Sequence, residues 1–395
     1  MMDSIPPLPL PPLPFGVMSL FVQRFRSIGA LQLSLPSKPV VFVARNGFGK
    51  TNLLEALSLF SPGRGLHNAT FADMRQANQN PPLPWQIGLT LTDGENGETH
   101  IGTTLTETKS GAERRVIKKE GELLRSQGEL TDILNIVWLT PSMDGLLSDS
   151  GQVQRQFIDR LTYAHCRNHA ELRSQYDKTL RERMKILEVY GPTSPAHTPW
   201  LDTLEEKLAT LNYAITRNRM DLVASLNELQ STTPLFPKFE AKLTGDIEEM
   251  FASSASDSHE ETAFTNALRS RLAANRSKDQ LRGSCGIGIH KTKLRVTHLK
   301  KGFTAEFCST GEQKMLLFAL ILAFIKKKRM QGLLLLMDDV VDHLDVQHKK
   351  VLLDEIKMLS PTHKIQPWLT GNDIKAFEPI LDVAHLLDET IFDRA

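Results

Sequence analysis

The chain of 395 residues carries 47 lysine and arginine residues against 46 aspartate and glutamate residues, and 41% of its residues are hydrophobic. This composition is typical of a folded protein with two or three domains and argues against disorder. The net charge of +1 excludes a chain that attracts nucleic acid as a whole, so such a contact must come from local clusters. Three widely spaced cysteines fit a reducing compartment. Because no stretch reaches the roughly 18 apolar residues of a membrane span, we expect a cytoplasmic protein without a membrane partner.

The start of the chain separates into a tail and a strand region. Residues 1–17 are rich in proline and leucine, lack the basic start of a signal peptide, and are predicted to form a disordered tail. From residue 18 to about residue 45, apolar and polar residues alternate, which predicts strands. The fold is therefore expected to begin near Met18.

The run that follows the apolar stretch Val40–Val43 has the pattern of a phosphate-binding loop. It comprises Ala44, Arg45, Asn46, Gly47, Phe48, Gly49, Lys50 and Thr51. Glycines let backbone N–H groups surround an anion, the lysine reaches the β- and γ-phosphates, and the threonine hydroxyl ligates Mg²⁺. The N-terminus of the helix that begins near Lys50 adds positive potential. Ala44 stands where the pattern has glycine, so the loop keeps its shape only if Ala44 needs no positive φ. The alternative is a plain turn between strand and helix.

The middle of the chain changes from strands to helices. Period-two alternation between residues 86 and 119 predicts an antiparallel sheet beside the nucleotide core, and residues 136–140 predict one more strand. From about 150 to 230, apolar residues recur at helical spacing. A loop is predicted at 253–261 and an arginine-rich helix ends near 282. We therefore assign an inserted helical lobe to 149–282, between two halves of a head domain at 18–148 and 283–395.

Two acids follow an apolar run in the last third of the chain. Leu333–Met337 precedes Asp338 and Asp339, which is how a buried central strand presents carboxylates at its C-terminal edge. Asp338 is predicted to hold Mg²⁺, and Asp339 to orient or deprotonate the attacking water. The pattern is weak alone and gains weight from the phosphate-binding loop.

A polar run before a long apolar helix supplies a further candidate site. Ser309 and Gly311 lie at the predicted N-terminus of this helix, where backbone N–H groups and the helix dipole attract anions. The alternative is a helix cap, in which Ser309 and Glu312 satisfy each other's backbone N–H groups. The two interpretations are compatible.

The order of these motifs resembles that of ABC-type ATPase heads. More specifically, the chain resembles the RecF family of bacterial recombination-repair proteins, through residues 50–57, 61–66, 138–146 and 308–314. The resemblance implies an α/β head with a mixed sheet core, an added antiparallel sheet and an inserted helical lobe. It also implies that Ser309 of one subunit completes the ATP site of another, and that Asp345 links the two sites.

The resemblance to RecF further implies a function in DNA repair, replication restart and the SOS response. ATP and Mg²⁺ would close a homodimer over duplex DNA near gaps, and hydrolysis would reopen it. RecR and RecO would be partners, and the assembly would help RecA to load. Slow hydrolysis is expected, because Asn372 replaces the histidine of transporter ATPases and Asp339 replaces the glutamate of fast ones. The alternatives are a DNA scaffold that does not hydrolyse ATP and a transporter subunit.

Local basic clusters are candidates for contact with DNA phosphates. One lies in the predicted antiparallel sheet, one along the helices of the inserted lobe, and one before Ser309, which stands at the position of the signature serine of ABC-type heads. The residues are Arg114, Arg115, Lys118 and Lys119; Arg155, Arg160, Arg167, Arg173, Arg181 and Arg183; and Lys291, Lys293, Arg295, Lys300 and Lys301. For residues 326–329 a helix end that complements the dipole is the favoured interpretation. The sequence leaves the choice between the clusters open.

Overall fold

The computed structural model describes residues 13–76, 83–94, 97–107, 111, 113–148, 151–231, 233–254, 259–327, 332–341 and 344–392. It divides into two compact units, one formed by Met1–Met143 with Ile325–Ala395 and one formed by Asp144–Phe324. Residues 1–12 of the predicted tail lie outside the described residues. The rest of that tail belongs to the fold, because Leu13, Phe15 and Val17 are buried.

The elements before the inserted unit follow the predicted strands closely. In chain order they are β1 (Gly16–Phe25), β2 (Ile28–Ser34), β3 (Val40–Val43), α1 (Lys50–Ser58), β4 (Gln86–Thr92), β5 (Glu98–Glu107), β6 (Glu113–Lys119), β7 (Glu122–Leu123), α2 (Gln127–Thr131) and β8 (Asn135–Leu139). Six of them form the predicted antiparallel sheet, in the order β2-β1-β4-β5-β6-β7. Its buried face comes from period-two alternation, as in β4, where Ile87, Leu89 and Leu91 point inward.

The inserted unit combines helices with one small sheet. Its elements are α3 (Gly151–His165), α4 (His169–Tyr190), α5 (Thr198–Glu228), β9 (Phe239–Thr244), α6 (Asp246–Ser254), α7 (Glu260–Ala274), α8 (Arg276–Arg282), β10 (Lys293–His298), β11 (Phe303–Thr304) and α9 (Thr310–Ile325). The predicted loop at 253–261 overlaps the ends of α6 and α7, and residues 255–258 lie outside the described part. The hydrophobic core of the inserted unit includes Tyr176, Leu208, Phe264 and Ile289.

The boundary between the units differs from the predicted one. Residues 283–324 were expected in the head, but they group with the inserted unit. The reason is β9, which the sequence analysis did not identify. Strand β10 pairs with β9 from Lys293↔Thr244 to His298↔Phe239, and this pairing ties the segment to the inserted chain.

The last elements complete the first unit. They are β12 (Leu333–Met337), α10 (Val346–Thr362), β13 (Ile365–Gly371), α11 (Glu378–Leu381) and β14 (His385–Leu387). With two earlier strands they form a parallel sheet in the order β14-β3-β13-β12-β8. All five residues of β12 are buried, as expected for a strand inside a parallel sheet. The register pairs Met337 with Leu369, and Gly371 with Val43, so β3, β12 and β13 end at one edge of the sheet.

Charged side chains lie deep inside the second unit. Arg183 is fully buried and donates to Glu205 Oε1 at 2.9 Å and to Asp279 Oδ2 at 2.8 Å. Arg160 is also buried, and Arg173 is ion-paired with Asp159 at 3.2 Å. The predicted DNA contact is therefore wrong for Arg160 and Arg183. Regular helical spacing of arginines does not show which of them faces the core.

No helix among the described residues has the length and apolar character needed to cross a membrane.

Candidate nucleotide-binding site

The predicted phosphate-binding loop joins β3 to α1 at the carboxyl edge of the parallel sheet. Gly47 and Gly49 have φ angles of 88° and 80°, which glycine adopts without strain. Ala44 is not among the residues with positive φ, and its N–H donates to the carbonyl of Gly371 at 3.2 Å. The departure from the glycine pattern at Ala44 is therefore compatible with the loop conformation.

Lys50 lies at the start of helix α1 with its side chain 4% exposed. Its ammonium donates to the carbonyl of Ala44 and to Oδ1 of Asn372, both at 2.7 Å, and lies 3.6 Å from Oδ1 of Asp339. Asn372, at the position where transporter ATPases carry histidine, therefore contacts the loop lysine directly. A buried ammonium held by several oxygen atoms is oriented before any phosphate arrives.

A hydroxyl and a carboxylate meet beside this lysine, as the sequence predicts. Thr51 donates from Oγ1 to Oδ2 of Asp338 at 2.9 Å, and Thr370 donates to Oδ1 of Asp338 at 3.0 Å. Burial raises the pKa of Asp338, Asp339 adds to the rise, and the two threonine hydrogen bonds oppose it. Asp338 is thus a buried carboxylate whose charge is incompletely compensated by the protein.

Asp339 has an unusual backbone for a residue with a side chain. Its φ is 48°, its N–H donates to Oγ1 of Thr370 at 2.9 Å, and its carboxylate lies 3.2 Å from that hydroxyl. A left-handed conformation at a residue other than glycine is uncommon and often marks a functional position. The turn directs the second acid toward Lys50, while the first faces Thr51.

Thr370 was not assigned a role from the sequence, although it contacts both acids. Knowledge of the strand order would have pointed to Thr370. The register Met337↔Leu369 places Thr370 beside Asp338 once β12 and β13 are known to be neighbours. A sequence alone does not state which strands are adjacent.

The end of the chain contacts the phosphate-binding loop. Glu389 accepts hydrogen bonds from the guanidinium of Arg45 at 3.1 and 3.3 Å. The ring of Phe392 lies next to Gly49, where a Cβ would stand 3.1 Å from it. Arg45 also lies over the ring of Phe48, 4.8 Å from its centroid. The contacts of Glu389 and Phe392 with the loop span more than 340 residues of chain, and the sequence patterns do not predict them.

The predicted signature serine lies in the second unit. Ser309, Thr310 and Gly311 are exposed at the N-terminus of α9. The N–H of Ser309 donates to Oε2 of Glu312 at 3.0 Å, and the N–H of Glu312 donates to Oγ of Ser309 at 3.4 Å. This is the capping box that the sequence left open as an alternative. Since Oγ acts only as an acceptor in it, the hydroxyl proton stays available to an anion.

Asp345 caps helix α10. Its Oδ1 accepts hydrogen bonds from the N–H groups of Gln347 at 3.1 Å and His348 at 3.0 Å. These bonds, and the contact between its carboxylate and the His348 ring, lower the pKa of Asp345. The preceding pair, 342–343, lies outside the described residues.

The chain matches a known protein family and curated relatives. A model described as the RecF/RecN/SMC N terminal domain matches residues 16–368. The DNA replication and repair protein RecF of Rickettsia felis is 33% identical over 377 residues, covering 93% of this chain and 96% of the relative. Both findings confirm the predicted family resemblance.

Solved structures agree with the fold. The recombination mediator protein RecF-ATPrS in the RecFOR pathway superposes with a TM-score of 0.74 at 21% identity, over 96% of this chain and 97% of that one. The Smc head domain of Pyrococcus furiosus superposes with a TM-score of 0.51 at 15% identity, over 95% and 93% of the two chains. The predicted α/β head of ABC type is thereby confirmed.

Proposed function

The chain belongs to the RecF family of DNA replication and repair proteins, and we propose that it is an ATP-dependent DNA-binding ATPase of recombinational repair and replication restart. The observation that carries this proposal is the convergence of Lys50, Thr51, Asp338 and Asp339 at one sheet edge. Each is of the residue type that its role in phosphoryl transfer requires. A relative described as RecF-ATPrS supports ATP as the nucleotide.

The donor set at Thr51 and Asp338 fits Mg²⁺. Among the residues that the structure describes, no group of three or more histidine, cysteine or acidic side chains forms a metal cage. Mg²⁺ in phosphoryl-transfer sites is held by one or two protein oxygens together with the phosphates, so a hydroxyl beside one carboxylate suffices. When bound, the ion would neutralise charge that develops on the phosphates.

The other residues would divide the remaining work. Backbone N–H groups of residues 45–51 would cradle the phosphates, and Lys50 would pair with the terminal ones. Asp339 would accept a hydrogen bond from the attacking water and take its proton. Asn372 and Thr370 would keep Lys50 and the two acids in position.

We propose that two copies share each ATP site, with Ser309 of one chain reaching the nucleotide of the other and Asp345 lying between the two sites. Exposed apolar side chains accompany both residues. Phe307, two residues before Ser309, is 76% exposed, and Val346, next to Asp345, is 84% exposed. Exposed apolar groups beside polar recognition residues are typical of protein interfaces.

We propose that the closed dimer binds duplex DNA near a gap. The proposed partners are RecR and RecO, the proposed role is to assist RecA loading, and the proposed compartment is the cytoplasm; the family membership supports these proposals. Hydrolysis would be slow, which suits a clamp that must persist on DNA. The positive groups needed for phosphate contact are present, although Arg160 and Arg183 are unsuited to it.

ATP hydrolysis measured with and without gapped duplex DNA tests this proposal. We expect low basal phosphate release that gapped DNA changes, and loss of release in Lys50→Met. Lys185→Met, at an exposed site on α4, serves as the matched control and should behave like the wild type. ATP binding without hydrolysis under either condition would instead support the scaffold alternative.

A further inference from the structure

One face of the small sheet in the second unit is unusually basic. Lys293 and Arg295 of β10 and Lys242 of β9 are exposed on it, while their neighbours in sequence are buried. The register places Arg295 directly opposite Lys242. We call this set, together with Lys300 in the following turn, the basic face.

The arrangement of the basic face works against stability of the sheet. Like charges directly opposite each other on two strands repel, at a cost of a few tenths of a kcal/mol or more. Within the described residues, Lys242, Lys293 and Arg295 have no carboxylate within ion-pair distance. The one acid on the same face, Glu240, pairs across the sheet with Thr297. Cations without a paired carboxylate on the exposed face of a sheet suit a polyanionic partner.

The turn between β10 and β11 connects this face to the signature serine. Lys301 lies in that turn and forms an ion pair with Glu312. Glu312 in turn accepts the N–H of Ser309 at 3.0 Å. The Lys301 hydrogen bond, with that of the Ser309 N–H, lowers the pKa of Glu312 to about 2. Two direct contacts therefore connect the turn between β10 and β11 to Ser309, one from Lys301 to Glu312 and one from Glu312 to Ser309.

We propose that the basic face binds the phosphate backbone of DNA and that Lys301, acting through Glu312, transmits its occupancy to Ser309. This inference rests on the proposed function. DNA bound to the basic face restrains the turn between β10 and β11. The restrained turn keeps the Lys301 ammonium paired with the Glu312 carboxylate. Lys301 then neutralises a carboxylate that would repel a phosphate approaching Ser309, and it fixes the capping box that orients the serine. Lys301 is a positioning residue, and DNA binding strengthens ATP-dependent dimerisation through it.

The salt dependence of affinity for gapped duplex DNA tests the surface. Each phosphate contact contributes about 0.9 to the slope of log K against log salt. Replacing both Lys242 and Arg295 with alanine should reduce the slope by about 2. The matched control replaces Lys185 and Lys207, which are exposed on α4 and α5, and should leave the slope unchanged. An unchanged slope in the first variant, or equal losses in both, overturns the assignment of the face.

The coupling is tested by the ATP concentration at half-maximal dimerisation, with and without gapped DNA. For the wild type we expect DNA to lower this midpoint by about 5-fold or more, within the range of allosteric couplings. Lys301→Met should bring the ratio close to one while the salt slope stays that of the wild type, and Lys301→Arg should restore it. A methionine variant that couples like the wild type overturns the role of Lys301.

Different results would refute the proposed function and the role of the basic face. A wild-type chain that neither binds gapped DNA nor dimerises with ATP would refute the proposed function and this inference together. A wild type that does both, with variants indistinguishable from it, would refute the inference alone.

Discussion

Two clusters of charged residues, one in each unit, both pair cations with carboxylates, but they serve different purposes. In the second unit, Arg183 donates to Glu205, to Asp279 and to a backbone carbonyl, and both carboxylates are buried with it. In the first unit, Lys50 shares its ammonium among neutral oxygens and a carboxylate 3.6 Å away, beside the incompletely compensated Asp338. The buried cluster is satisfied internally, whereas the other is arranged for a partner.

The backbone shows the same difference. The arginine cluster is built on helices α4, α5 and α8, which need no unusual dihedral angles. The nucleotide-site cluster lies where strands β12 and β13 end and helix α1 begins, and it includes Asp339 at a φ of 48°. Strain together with unmatched charge therefore distinguishes a candidate reaction site from a structural ion pair, even where both are largely buried.

The largest effect on function is expected from Asp339→Asn. Loss of a general base costs about 100- to 10,000-fold in turnover, while ATP binding through Lys50 remains. The variant should accumulate as a closed dimer on DNA, measured by phosphate release and by sedimentation of the complex. Asp354→Asn on α10 is the control. Wild-type turnover in Asp339→Asn would show that Asp339 is not the general base of the nucleotide site.

Arg183→Met should have its effect on folding. The change leaves the buried Asp279 without its cation and removes one of the two arginines paired with Glu205, the other being Arg276. We expect a loss of about 3–5 kcal/mol in unfolding free energy. Hydrogen exchange of amides in α4 and α5 should speed up on the order of 100-fold or more. Arg181→Met, at an exposed position of the same helix, should change little. An equal response of the two variants would show that the buried cluster does not stabilise the unit.

A smaller effect is expected from Thr370→Val. The substitution removes the hydroxyl that contacts Asp338 and Asp339, and hydrogen bonds to charged groups contribute about 1.5–3 kcal/mol. We expect kcat/KM for ATP to fall by about 10- to 100-fold with the fold intact. Thr106→Val, exposed on β5, is the matched control. Full activity in Thr370→Val would show that the acids need no such support.

Only part of the nucleotide site can be predicted from local sequence patterns. The phosphate-binding loop, the acids after an apolar strand and the capped signature serine are local patterns, and their structures follow from neighbouring residues. Thr370 and Glu389 contact the site through strand order and through contacts across nearly the whole chain. Local patterns carry no such information, so these residues were missed.

The inserted unit was predicted less well for a related reason. Its helices follow from apolar spacing, but β9 is short and lies between a proline-containing loop and a helix, so its alternation was overlooked. The same spacing gave Arg160 and Arg183 the outward orientation of a DNA-binding surface, while the structure buries both. Only tertiary contacts distinguish a buried ion pair from a solvated charge.

We propose that Ser309 serves the ATP site of a second chain. Light scattering of Ser309→Arg with ATP tests this role, together with a binding measurement that uses a fluorescent ATP analogue. We predict that the variant binds the nucleotide as the wild type does but stays monomeric, because the bulky guanidinium blocks the shared site. A dimer that forms as in the wild type would contradict the account.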